Sequence, residues 1–288
     1  MRLVADLGGT NVRFGLVAGD ARPDRVERLR NDDFKSFPDA LARYRANVGM
    51  PEVDEVAIAI AGPVTGDTAR LTNRDWIIDA QLTSDDFGGA RVKLMNDLNA
   101  LGYSVPHLSG EDIALLTPET PAGATVQQAL VIGIGTGFNV SPVLNTGHSV
   151  YCPVSEAGHP ALPANISDKL KTDFPDMPPM ITVEECFSGR GFAQLREIWE
   201  RTSDYPSFLE YYAELVALLS RNLMLDFMPM SGVYFAGGVA REVMQSPAQS
   251  KFAQVFSQPF PLSDDLKAPA YLILDDTAAL RGCAAAEI

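Results

Sequence analysis

At 288 residues the chain is longer than a single hydrophobic core usually grows, so its length predicts two lobes. Its 46% hydrophobic, 21% charged and 8% aromatic residues are those of a globular protein and exclude a disordered or fibrous one. A formal net charge of −14, against 23 Lys and Arg, argues against a nucleic-acid partner, which needs a clustered basic face.

Met1-Arg2 leads directly into Leu3-Val4-Ala5, an apolar run too short for a signal peptide, and no later run reaches the ~20 apolar residues of a membrane span. No membrane partner and a cytoplasmic location are therefore expected. Residues 3–17 read as two β-rich runs joined by Gly8-Gly9-Thr10-Asn11, a turn in which glycine lets the backbone reverse sharply. Asp6 ends the first run. The N–H groups and Thr10 hydroxyl of the turn suit phosphate oxygens, and the Asp6 carboxylate suits Mg²⁺, directly or through water. Alone this pattern is weak, because Gly-Gly turns also serve ordinary hairpins.

Residues 37–48 have helical spacing and a stop signal at Gly49, and residues 55–61 and 92–95 read as buried or half-buried strands. The second of these strands runs into Asn96-Asp97. That amide and carboxylate can hydrogen-bond adjacent sugar hydroxyls, and Asp97 can accept the proton of an attacking one, although a helix cap explains the same dipeptide.

Residues 129–140 repeat the plan of the first hairpin: an apolar strand, the turn Gly135-Thr136-Gly137, and a second strand. Two such turns are what a nucleotide held by two related halves requires. Neither a Walker sequence nor a dinucleotide glycine fingerprint occurs. Glu156-Ala157-Gly158-His159 and residues 184–191, which begin with Glu184, add carboxylates and an imidazole in glycine-bearing contexts. Such acceptors suit a polyol, whose recognition relies on buried polar groups left unpaired by the wrong isomer. His159 has no H-E-x-x-H partner, so a zinc site is not expected.

Pro160, Pro163, Pro175, Pro178 and Pro179 read as a long surface loop or lid-like excursion beside that segment, or equally as a plain connector. Residues 206–227 carry the clearest helical period, ending before Pro229, and residues 232–240 read as a strand followed by Gly237-Gly238, where backbone can approach a flat base or ribose. Cys152, Cys186 and Cys283 have neither disulfide-framework nor zinc spacing.

Together, and in this order, Asp6-Leu7-Gly8-Gly9-Thr10-Asn11, Asn96-Asp97, Gly135-Thr136-Gly137, Glu156 with His159, Glu184 and Ala236-Gly237-Gly238 resemble the bacterial glucokinase family of actin-like sugar kinases. Residues 57–64 and Leu71-Thr72-Asn73 also look like family segments. The resemblance implies an α/β, two-lobed actin-like ATPase fold, a duplicated ribonuclease-H-like plan with an interlobe cleft. It places a small lobe at 1–106 plus 275–288 and a large lobe at 107–274.

The implied activity is transfer of the γ-phosphoryl group of MgATP to the 6-hydroxyl of glucose, with Asp97 as general base. The implied sugar contacts are Asn96, Asp97, Glu156, His159 and Glu184. The implied nucleotide contacts are Asp6, Gly8, Gly9, Thr10, Asn11, Gly135, Thr136, Gly137, Gly237 and Gly238. Homodimerisation is a further family-level expectation. The sequence departs from the family pattern at Asn99, Asn139 and Ala157. A kinase for another hexose, or a sugar sensor of the same fold without catalysis, are the competing readings.

Overall fold

The computed structural model describes residues 1–19, 22–49, 51–72, 74–117, 127–263 and 266–288. The chain divides into two units, Met1–Leu108 with Asp276–Ile288, and Ser109–Asp275.

In the first unit the opening hairpin forms as the two β-rich runs and their glycine turn predict: β1 (Arg2–Leu7) pairs antiparallel with β2 (Asn11–Val17), which pairs with β3 (Asp24–Arg30). Helix α1 (Phe37–Val48) begins at a Ser36 cap and stops at Gly49. Its Phe37, Leu41 and Tyr44 are buried against the sheet, where Tyr44 stacks on Phe14 at 5.0 Å between ring centroids. Strand β4 (Glu55–Ile60) lies parallel to β1. A small antiparallel sheet of β5 (Val64–Thr65), β6 (Thr68–Arg70) and β7 (Ile77–Asp79) follows, then α2 (Ala80–Asp86) and β8 (Arg91–Asn96), parallel to β4. The main sheet therefore has the order β3-β2-β1-β4-β8. Helix α3 (Asp97–Ser104) starts directly from the end of β8.

The chain's last helix, Ala278–Ala285, belongs to this unit. It packs on α3 so closely that a Cβ on Gly282 would lie 1.6 Å from the carbonyl oxygen of Ala100. Arg2 holds the end of that helix through its guanidinium, which donates to the carbonyls of Cys283, Ala284 and Ala286 and also pairs with Glu55.

The second unit repeats this topology. β10 (Gln127–Ile134) pairs antiparallel with β11 (Phe138–Asn145), which pairs with β12 (Val150–Tyr151), and β13 (Gly232–Ala236) and β14 (Ala270–Ile273) continue the sheet in parallel. β9 (Ile113–Leu115) adds an antiparallel edge, giving β12-β11-β10-β13-β14-β9. Three antiparallel strands followed by parallel ones, in the same spatial order in both units, is the duplication that the paired glycine turns suggested.

Helices α4 (Ala164–Asp173), α5 (Val183–Phe187), α6 (Gly189–Trp199), α7 (Tyr205–Phe227), α8 (Gly238–Met244) and α9 (Gln249–Phe256) complete this unit. α7 runs through its core, with Phe208, Tyr212, Leu215 and Leu219 buried at the predicted spacing. The proline-rich stretch is not the long surface loop or lid that its composition suggests. It contains α4, whose Ile166 and Leu170 are buried, and Phe174 and Met180 join the same core. Pro163 stands at the start of the helix, where its missing N–H has no intrahelical acceptor to lose, so proline initiates this helix. No helix among the described residues is long and apolar enough to cross a membrane.

Candidate active site

Parallel strands present their carboxyl ends at one edge of the sheet, where chains in open α/β sheets leave room for ligands. In the first unit that edge carries Asp6 and Asn96-Asp97. Asp6 pairs across β4 in register with Ala59, and Asn96 pairs with Ile60, so small and apolar side chains of β4 separate the two acidic strand ends.

Asp97 is the first residue of α3, and Asn96 caps it. The Leu98 N–H donates to Asn96 Oδ1 at 3.0 Å and to Asp97 Oδ1 at 2.9 Å, while Asn96 Nδ2 donates to the Gly62 carbonyl at 3.3 Å. The cap and the candidate base are thus one structure: capping fixes the backbone that aims Asp97, and it commits the Asn96 amide to backbone partners. Asp97 is half-buried. Desolvation, then the negative charge of nearby Asp6, push its carboxyl up to about 7, against the opposing pull of the backbone N–H groups of Leu98 and Asp97. A carboxylate poised near neutrality is suited to accept a proton from a hydroxyl.

Asp6 is buried, and burial raises its pKa, while Arg13, directly across the β1–β2 ladder, lowers it. The Arg13 guanidinium donates to Asp6 Oδ2 at 3.0 Å. Residues Gly8, Gly9 and Thr10 form the turn that follows, closed by the Gly8 N–H on the Asn11 carbonyl at 3.0 Å. Fully buried Asn31 braces it: its Nδ2 donates to the Gly8 carbonyl at 2.8 Å and its backbone N–H to the Thr10 carbonyl at 2.9 Å. Asn31 Oδ1 is buried without a hydrogen-bond partner among the described residues.

Neither Arg13 nor Asn31 was singled out by motif. The β1–β2 register places Arg13 beside Asp6, so a paired-strand reading could have found it, but nothing in the sequence marks Asn31, which reaches the turn from beyond β3. Asn73 of the Leu71-Thr72-Asn73 segment lies outside the described residues.

In the second unit Gly135, Thr136 and Gly137 form the β10–β11 turn, with the Gly135 N–H donating to the Gly137 carbonyl at 3.0 Å. The start of α6 rests on this turn, because the Gly189 N–H donates to the Gly135 carbonyl at 2.7 Å. Gly237, at the end of β13, has φ +99°, and a Cβ there would lie 2.3 Å from the Ile134 carbonyl, so only glycine lets α8 begin so near the turn. A Cβ on Gly238 would meet nothing within 4 Å.

Glu184 lies in α5, which a reciprocal Thr182–Glu185 capping box starts. Its Oε2 accepts the Phe138 N–H at 2.6 Å, and its own N–H donates to the Gly158 carbonyl at 2.7 Å. Glu156 and His159 sit at the surface of this unit, 68% and 75% exposed, with Glu156 Oε2 4.0 Å from His159 Nε2. The candidate residues therefore form two sets. Asp6, the Gly8–Asn11 turn and Asn96-Asp97 gather in the first unit, and the Gly135–Gly137 turn, Gly237-Gly238, Glu184, Glu156 and His159 gather in the second.

This arrangement has relatives. A glucokinase of Nitrobacter hamburgensis is 28% identical, with 99% of this chain and 96% of the relative covered. Among solved structures, a glucokinase from an Antarctic psychrotroph superposes with a TM-score of 0.84 at 25% identity, covering 99% of this chain and 97% of that one. A glucokinase of the ROK family from Streptomyces griseus, solved in complex with glucose and AMPPNP, shares the fold with a TM-score of 0.60 at 17% identity, over 98% of this chain and 97% of that one. The family model described as Glucokinase matches residues 3–208 and 200–287. With the duplicated sheet, the glycine turns and the acidic strand ends in place, the chain belongs to the glucokinase family and has its actin-like ATPase fold.

Proposed function

We propose that the protein transfers the γ-phosphoryl group of MgATP to the 6-hydroxyl of glucose, with Asp97 as general base. The observation that carries this reading is Asp97 itself: a half-buried carboxylate, fixed at the first position of a capped helix and held near pH 7 at the carboxyl edge of a parallel sheet. The names of the relatives supply the sugar, and the AMPPNP bound to the Streptomyces griseus protein supports a nucleotide donor.

The residues fit these partners. Both glycine turns offer backbone with little side chain beyond the hydroxyls of Thr10 and Thr136, as phosphate oxygens require. Among the described residues no group of three or more His, Cys, Asp or Glu side chains is placed to hold a metal ion. Asp6, already paired with Arg13, is a single carboxylate. That donor set suits Mg²⁺ carried on nucleotide phosphates, which Asp6 would help hold, directly or through water.

MgATP, when bound, supplies the phosphoryl group and the cation that offsets its charge. Asp97 takes the proton of the 6-hydroxyl as that oxygen attacks, and the Leu98 N–H keeps its Oδ1 in place. Glu156, His159 and Glu184 are proposed to sort the other hydroxyls, joined by Asn96 through the amide N–H that the Gly62 carbonyl leaves over. Because phosphoryl transfer depends mainly on positioning and charge stabilisation, Asp97→Asn is expected to lower turnover by roughly 10²–10⁴ while sugar binding persists.

Glucose-dependent ADP formation from MgATP tests this, with calorimetric sugar titration alongside. Near-normal turnover in Asp97→Asn would remove Asp97 as the base. Turnover with a different hexose alone would reassign the acceptor, and sugar binding without any turnover would make the protein a sensor.

A further inference from the structure

The segment from Cys152 to Pro160 has no helix or strand; Cys152 is buried at its start and Ala157 packs against the core, while Val154 and Glu156 project from it largely exposed. One side chain of β11 holds the backbone on either side of Glu156. Asn139 Nδ2 donates to the Ser155 carbonyl at 2.7 Å, and Asn139 Oδ1 accepts the Ala157 N–H at 2.9 Å and the Val140 N–H at 2.8 Å. The partners determine which end of the amide is which, since a carbonyl requires the NH₂ and two N–H groups require the oxygen. Ser155 and Ala157 are the two neighbours of Glu156.

The residue before Asn139 extends the arrangement. The Phe138 N–H holds the Glu184 carboxylate, and the Glu184 N–H holds the Gly158 carbonyl. Two consecutive residues of β11 therefore anchor both Glu184 and the stretch containing Glu156 and His159, immediately after the Gly135–Gly137 turn.

We infer that Asn139 is a positioning residue for sugar recognition: its amide grips the backbone on both sides of Glu156 and so sets where the Glu156 and His159 side chains meet the substrate. This rests on the proposed sugar-kinase reading. Recognition of a polyol through several polar groups is sensitive to small displacements, so losing the grip should weaken sugar affinity while leaving the nucleotide side largely untouched.

Asn139→Gly removes all three side-chain bonds, and Asn139→Asp keeps the two accepted from Val140 and Ala157 but loses the donor to Ser155. Steady-state kinetics are expected to show the KM for glucose rising roughly ten-fold in Asn139→Gly, with little change in the KM for ATP, and Asn139→Asp recovering much of the loss. Amide hydrogen exchange at Ala157 should quicken by about ten-fold in Asn139→Gly.

Unchanged exchange at Ala157 would overturn the grip itself, and quickened exchange with an unchanged glucose KM would overturn its role in recognition. A parallel rise of both KM values together with a lowered melting temperature would reduce Asn139 to general stability. A wild-type protein without sugar-dependent turnover would instead overturn the functional reading on which the inference rests, while the exchange experiment still decides whether Asn139 holds the segment.

Discussion

Asp97 has a raised pKa because the fold holds a carboxylate where water is scarce and Asp6 is near. Its pKa rises from the ordinary value of 3.8 to about 7, so the native state binds this proton more tightly than the unfolded chain. The stabilisation from that proton is fully present below about pH 4 and is lost as pH climbs toward 7. Above pH 7 the native protein carries a destabilising charge, of order 1–3 kcal/mol after allowing for partial exposure. Asp97→Asn should therefore melt at a higher temperature than the wild type at pH 8, and the difference should shrink toward pH 4, as thermal denaturation at the two pH values can check. The base needs its charge, so kcat/KM for glucose should rise with pH through a midpoint near 7, seen in a pH–rate profile from 5 to 9. At this scale the sequence was informative where chemistry and backbone signal coincide. Asn96-Asp97 at a strand end could be read as a helix cap or as a catalytic pair, and the structure shows the cap directly, with the candidate base as its first helical residue. Asn31 and Asn139 were not legible as contributors, because an asparagine that grips a loop distant in sequence has no local pattern.

Regular elements were legible wherever periodicity and stop signals agreed. Residues 37–48 with Gly49, and residues 206–227 with Pro229 beyond them, both form helices close to their expected bounds. α4 was not, because five prolines read as breakers conceal two buried apolar residues four apart, and the proline that opens a helix looks the same in sequence as one that ends it. Close packing between elements is also hidden. Gly282 meets the backbone of α3, so Gly282→Ala would force the last helix off α3 and cost about 1–3 kcal/mol. Since α3 begins with Asp97, turnover should fall along with the urea midpoint. Gly238→Ala is the contrasting case: its methyl enters open space, and φ is not in the left-handed region. Its urea midpoint should hold or rise slightly, while the KM for ATP should increase if the start of α8 faces the nucleotide. Urea titrations and ATP-dependent rates on the two variants separate packing from ligand contact.

At the scale of the molecule, length and the two glycine turns pointed to duplication, and the matching strand orders bear this out even though the hairpins share little sequence. What could not be read was how the chain's end is used. The first unit is discontinuous: Leu280 and Cys283 lie in its interior, Arg2 holds the helix end, and Arg91 donates to the Ile288 carbonyl at 2.9 Å. The second unit is continuous from Ser109 to Asp275. Each unit also carries one of the two tryptophans, Trp76 bonded to the Lys35 carbonyl and Trp199 bonded to Ser207. In a chain stopped after Asp275, the Trp76 signal should be that of an unfolded environment and the Trp199 signal native-like, read in Trp199→Phe and Trp76→Phe backgrounds respectively. Native-like Trp76 emission would show that the last helix is dispensable for the first unit. The same discontinuity sets an order for biosynthesis. The first strands leave the ribosome early, yet the helix that packs on α3 is translated 181 residues and more after Asp97. The nascent first unit must wait, with apolar surface uncovered, while the second unit has everything it needs to fold, so chaperone demand during translation should fall on the amino-terminal half of the chain.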